Sequence, residues 1–220
     1  HFRAIPAVPS PKSRPAFTVP PHEETLYALT ADREMTATTV TVSHVEPAGE
    51  QRTVGAYRQG MVERLFSRLM NKRLGEISQK ANPPFNAAQT SRGLFVRTVT
   101  MTTLAALVPN GSAERGLEAL YTELERVVRF GFTQSELDRD KLDSQRYLLQ
   151  ALLEKDKSPS GPLADELVRH VVQDEPVPGI VYEQAMSARF LPEITLAEIN
   201  ALARTWIPDR NRVVSVSAPE

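Results

Sequence analysis

At 220 residues the chain can bury a core as one large domain or two small ones, and its 41% apolar and 24% charged residues are those of an ordinary globular protein. A formal net charge of -1 leaves no broad basic field for nucleic acid or an anionic membrane, and the lack of cysteine removes disulfides, thiolate nucleophiles and thiolate metal sites. No apolar run approaches the roughly 20 residues that span a bilayer, no signal peptide is visible, and a start at His1 rather than Met points to an excised fragment or processed product.

The first 21 residues hold six prolines, Pro6, Pro9, Pro11, Pro15, Pro20 and Pro21. Each fixes φ and removes a donor, so residues 1–21 read as an extended linker and 22–220 as a single unit. ETLYALTAD and ATTVTVSHV then read as strands, with a polar turn between Asp32 and Met35. Val40 and Val42 share one face of the second strand; Thr39, Thr41 and Ser43 share the other. From Thr53 to Ser78 the pattern becomes helical. Val54, Tyr57, Met61, Leu65, Leu69 and Ile77 form one apolar stripe, with Arg64, Arg68, Lys72 and Glu76 on other faces.

NPPF at Asn82–Phe85 ends that helix, because proline disfavours helix in the residue before it. LFVRTVTMTTLAALV, from Leu94 to Val108, returns to strand composition. NGS at Asn110–Ser112 makes a turn and a helix cap, and Leu117, Leu120, Leu124, Val127 and Val128 give the next helical stripe. Gly131 fits the position just past a helix, where φ is often positive. Thr133 and Glu136 form a T-x-x-E capping box, with Phe132 and Leu137 placed as a hydrophobic staple. Two helices therefore meet at a fixed angle through a very short joint.

The second of them runs to about Lys155 through Leu137, Tyr147, Leu148 and Leu152, and SPSGP breaks it. A helix over Leu163–Gln173 follows, ended by DEPVPG, and another starts near Ile180. Thr195 and Glu198 make a second capping box, and Val213, Val214 and Val216 close the chain as a strand. No internal repeat occurs. Strands at both ends with helices between them require a sheet assembled from distant segments. The fold class is α+β, with helices packed on one face of a mainly antiparallel sheet.

Individual polar residues have structural readings. His44 continues the Val40/Val42 side of its strand, and His170 borders the Leu163/Leu167 stripe; each is expected as a satisfied histidine. His22 beside Glu23 and Glu24 lacks a second imidazole for a metal. Glu136 and Glu198 cap helices. Asp138, Asp140 and Asp143, alternating with Arg139 and Lys141, are expected on a solvated helix face rather than in a calcium loop. Gly55, Gly60 and Gly75 lie within a helix and make no phosphate loop. Trp206 reads as an aromatic anchor for the last strand.

Three stretches carry a family resemblance: VERLFSRLMNKRLGEISQKANPPFNAA, GLEALYTELERVVRFGFTQSELDRDK and LPEITLAEINALARTWI with the valine-rich strand after it. Over roughly Pro20 to Glu220 the chain resembles one unit of the pitrilysin/insulinase family of zinc metallopeptidases. The middle stretch, with its Gly-Phe-Thr joint, is the most specific. The resemblance implies repeated α+β units closing around a chamber, with zinc held by H-x-x-E-H on the first unit. In that motif His residues at i and i+4 face one metal and the Glu activates its water.

This chain lacks the motif: His1, His22, His44 and His170 include no pair four apart. Units from the family's second half carry an Arg and, seven residues on, a substrate-holding Tyr; the aligned positions here are Ser78 and Phe85, which have neither the cation nor the hydroxyl. The resemblance thus implies a non-catalytic unit, the second of a longer enzyme, forming part of a substrate chamber wall. No catalytic, metal-binding or substrate-binding residue is assigned. No cofactor is expected in the fragment, and zinc is expected in the parent. Expected partners are neighbouring peptidase units and a peptide substrate, with no nucleic acid and no membrane span. A bacterial periplasm is favoured over the cytoplasm, although composition does not choose. The alternative is a structural or interaction module from a relative that lost zinc binding.

Overall fold

The computed structural model describes Pro6, residues 9–13 and residues 15–220. His1 lies outside the described residues, as does part of the proline-rich segment. The described prolines of that segment are exposed and lie in neither helix nor strand.

Strands β1 (Leu26–Ala31), β2 (Thr38–Pro47), β3 (Ala87–Val96), β4 (Val99–Val108) and β5 (Arg212–Ala218) form one sheet in the order β1-β5-β2-β4-β3. Only β1 and β5 pair in parallel; the other three ladders are antiparallel. The expected, mainly antiparallel sheet built from distant segments is present. Alternation sets its inner face. Thr38, Val40, Val42 and His44 are buried while Thr39, Thr41 and Ser43 are not, and Val42 lies opposite Leu104 and Val214.

The helices are α1 (Val54–Ser78), α2 (Ala113–Phe130), α3 (Gln134–Leu153), α4 (Ser160–Gln173), α5 (Ile180–Phe190) and α6 (Leu196–Trp206), with a 3-10 turn at Lys155–Lys157. Helix α1 starts where Thr53 Oγ1 accepts the Ala56 amide, 3.1 Å away. It buries Met61, Val62, Leu65, Phe66, Leu69, Met70 and Leu74. The stripe is wider than the single row expected from sequence, since α1 touches the sheet on one side and α6 on the other. Val54, counted in that row, is 45% exposed. On the sheet side Asn71 grips β3, its Nδ2 donating to Thr90 O at 3.1 Å and its Oδ1 accepting from Thr90 N at 2.6 Å.

Two readings need correction. Leu94–Val108 is not one strand. The chain reverses at Arg97–Thr98, so that β3, beginning at Ala87, folds back on β4. No Gly, Asn or Pro marks that turn, and a bulge between Leu94 and Val96 absorbs the irregularity. Trp206 anchors β3 rather than the last strand: its Nε1 donates to Thr90 Oγ1 at 2.8 Å, and its ring lies 4.4 Å from that of Phe66.

The short joint forms as the sequence indicates. Gly131 has φ of 69°, and a Cβ there would stand 2.5 Å from Asn200, so both conformation and space demand glycine. Thr133 and Glu136 make the reciprocal capping box, and Phe132 and Leu137 are buried. The Asn200 side chain takes the Phe132 amide at 2.8 Å, tying the joint to α6. Arg73 of α1 closes it from the other side. Its Nε donates to Glu136 Oε1 at 2.8 Å and its Nη2 to Gly131 O at 3.0 Å; Nη1 reaches Glu123 of α2, and the guanidinium lies over the Phe132 ring. A second capping box, Thr195 with Glu198, starts α6 as expected.

Candidate functional site

A cleft of about 960 Å³ opens at the end of the sheet where β2 finishes and β4 starts. The first half of α1, the second half of α3, the Glu175–Pro178 segment and α5 complete its walls. The walls are held by ion pairs between elements remote in sequence. Arg92 of β3 bonds Glu46 of β2, reaches Glu63 of α1 at 3.2 Å, and donates to Thr102 Oγ1 at 2.7 Å. On the opposite wall Arg68 Nε meets Asp140 Oδ2 at 2.9 Å, and Lys72 bridges Asp140 and Asp143 at 3.1 and 3.0 Å.

Asp140 therefore corrects the expectation of a solvated acidic face. Its side chain is 1% exposed, because α3 packs on α1 and two cations of α1 neutralise it. Tyr147, counted among the apolar positions of its helix, is 73% exposed and forms part of the cleft's rim.

Helix α5 supplies a different kind of wall. Among the described residues, the partly buried Glu183 carboxylate takes no hydrogen bond and no ion pair. Burial raises its pKa and the charge of Glu166 adds to this; Arg64 draws it down, and Glu175 raises it again. Tyr57 of α1 is raised in turn, first by burial and then by Glu183. Arg64 itself lies over the Tyr57 ring, 5.7 Å from its centroid, with Nη1 3.2 Å from where a Cβ on Gly60 would stand. One turn beyond Glu183, Ser187 is 3% exposed and its hydroxyl finds no partner among the described residues. Sequence reasoning missed both residues. No motif marks them, and their only signal is the i, i+4 spacing that sets them on one side of a helix.

The singled-out residues are dispersed. His22 Nδ1 donates to Glu24 O at 2.6 Å, His44 Nδ1 to Arg210 O at 3.0 Å and His170 Nδ1 to Glu175 O at 2.7 Å. His44 and His170 thus both have the partner expected; His44 is buried, and His170 is exposed on α4, which buries none of its described residues. Glu136 and Glu198 are caps with added partners. Burial alone would raise Glu136, but hydrogen bonds from Arg73 and Thr133 outweigh it and hold its carboxyl at about 2. Arg58, then the Thr195 amide, bring Glu198 to about 2. Ser78 ends α1, and Phe85 is buried in the following loop.

A zinc site needs three or four converging ligands. Among the described residues, no three His, Asp or Glu side chains gather as a metal-binding group.

No protein-family model matches the chain. A zinc protease PQQL-like protein from Arabidopsis thaliana is 30% identical over 200 residues, 91% of this chain and 18% of that relative. The chain thus spans under a fifth of its relative's length. The first half of the periplasmic protease PqqL from Escherichia coli superposes with a TM-score of 0.88 at 14% identity, over 99% of this chain and 46% of that structure. An inactive domain of an M16 peptidase from Pseudomonas fluorescens superposes with a TM-score of 0.63 at 13% identity, over 97% and 48%.

Proposed function

From the premise that this chain is one unit of the pitrilysin/insulinase family of zinc metallopeptidases, we propose that it is a non-catalytic unit, the second of a longer zinc endopeptidase. It forms part of the wall of the substrate chamber, and zinc resides on another unit. The observation that carries this reading is the use made of the histidines. His22, His44 and His170 stand on three separate parts of the fold, each tied to a different carbonyl, so their rings do not converge on a shared ion. The wide cleft supplies the chamber-facing surface, and residues 1–21 serve as the tether from the preceding unit.

Contacts with neighbouring units fall to the apolar row on α4, where Leu163, Leu167 and Val168 are half or more exposed. We place the parent in a bacterial periplasm, like the Escherichia coli neighbour. Among the described residues no helix is long and apolar enough to cross a membrane.

Metal analysis after chelation and zinc reloading tests the central point. The chain should retain less than a tenth of an equivalent, and one equivalent retained would overturn the reading. In the full-length parent, a photo-cross-linking residue in place of Tyr147 should capture bound peptide substrate. A second reading, a scaffold that lost zinc altogether, draws on the likeness to the inactive Pseudomonas domain. An intact H-x-x-E-H on another unit of the parent would dismiss it.

A further inference from the structure

Charge is unevenly distributed in the cleft. Glu46, Glu50, Glu63, Asp143, Glu175 and Glu183 line it, against Arg64, Arg68 and Arg92. Most of the acids are already engaged. Glu46 and Glu63 hold Arg92, Asp143 holds Lys72, Glu175 holds Arg169, and Glu50 accepts the Arg52 amide. Glu183 is not engaged. The one cation that acts on it, Arg64, is folded back over Tyr57 beside Gly60 and forms no ion pair among the described residues.

A second, independent observation points to the same spot. Ser187 lines the cleft one helical turn along, almost wholly buried, with a hydroxyl that meets neither a carbonyl of its own helix nor any side chain among the described residues. A buried polar group without a partner is rare and costly unless something arrives to satisfy it. An unneutralised carboxylate and an orphan hydroxyl on one helix face, in a cleft that Leu65, Pro176 and Pro178 also line, suit a long side chain with a charged tip.

We propose that this part of the cleft is a subsite for one cationic side chain, lysine or arginine, of a bound peptide, with Glu183 as counter-charge and Ser187 as hydrogen-bond acceptor. The proposal rests on the chamber-wall reading and adds a preference to it. Recognition follows from chemistry at hand. An ammonium or guanidinium donates to the Glu183 carboxylate as a charge-assisted bond, leaves a further N–H for Ser187, and lays its methylene stem against the prolines. A neutral isostere keeps the stem contacts and loses the ionic bond. An acidic side chain meets like charge.

Three labelled pentapeptides, identical except for arginine, citrulline or glutamate at the centre, are titrated into the 220-residue chain by fluorescence polarisation. Arginine should bind about ten-fold tighter than citrulline, and glutamate weakest. Glu183→Gln should erase the arginine–citrulline difference, and Ser187→Ala should weaken arginine about three-fold. Glu183→Lys should favour the glutamate peptide, which guards against a variant that merely unfolds. If citrulline binds the unaltered chain as well as arginine does, the cationic subsite is overturned while the chamber-wall reading stands. If none of the three peptides binds, the cationic subsite is overturned, and cross-linking at Tyr147 in the parent decides the chamber-wall reading separately.

Discussion

The joint between α2 and α3 and the cleft beneath α5 are built by opposite rules. At the joint each polar group is answered. Arg73 serves Glu123, Glu136 and a carbonyl at once, Thr133 and Glu136 exchange bonds, and Asn200 takes the loose amide. At the cleft the Glu183 carboxylate and the Ser187 hydroxyl have no counterpart among the described residues, and beyond it α4 turns an apolar row to solvent. Carboxyl acidity records the same contrast: Glu136 is pulled down to about 2 while Glu183 is pushed up. One region spends its polar groups on holding the unit together; the other keeps two of them free, where we propose that a peptide binds.

Replacing Arg73 should break the first region most severely. Arg73→Met leaves Glu123, whose side chain is 5% exposed, with only the more distant Arg126 at 3.6 Å. A loss of about 3 kcal/mol is expected, at the low end for stripping one partner from a buried ion pair. Urea denaturation with an unchanged slope is the check.

Acid should come next. Glu136 and Glu198 have folded pKa values depressed to about 2, below their ordinary 4.5. Their contribution is therefore complete above pH 4.5 and disappears as pH falls from there through 2. Denaturation midpoints measured across that window should drop, and should drop less in Arg73→Met.

Thr133→Ala removes the cap alone and should cost about 1 kcal/mol, seen as a lower urea midpoint. Glu183→Gln should act in the opposite direction. A carboxyl whose pKa is raised by folding opposes stability above its unfolded value, and the opposition fades as pH falls. The variant should thus raise the midpoint slightly at pH 7 and not at pH 4, a gain no joint carboxylate could give.

How far the sequence spoke follows this same division. Both capping boxes, the staple and the glycine of the joint were legible, since their partners lie within three to five residues and each position allows few residue types. The β3–β4 reversal was not, because Arg97 and Thr98 carry no turn chemistry and apolar residues continue on both sides. The burial of Asp140 was hidden because its neutralising cations, Arg68 and Lys72, sit on a helix some 70 residues earlier. Trp206 was recognised as an anchor but given the wrong strand, since nothing local tells that its ring nitrogen meets Thr90. Glu183 and Ser187 matter through what they lack, and a missing contact leaves no mark on a sequence.

One further consequence lies in the parallel pairing of β1 with β5, where Leu26 stands opposite Val213 and Ala31 opposite Ala218. The polypeptide enters this ladder at one end and leaves it at the other. Tension applied through the two flanks would pull the strands lengthwise past each other. The rungs must then give way together instead of unzipping singly, so a machine drawing the two flanks apart would load this seam in shear.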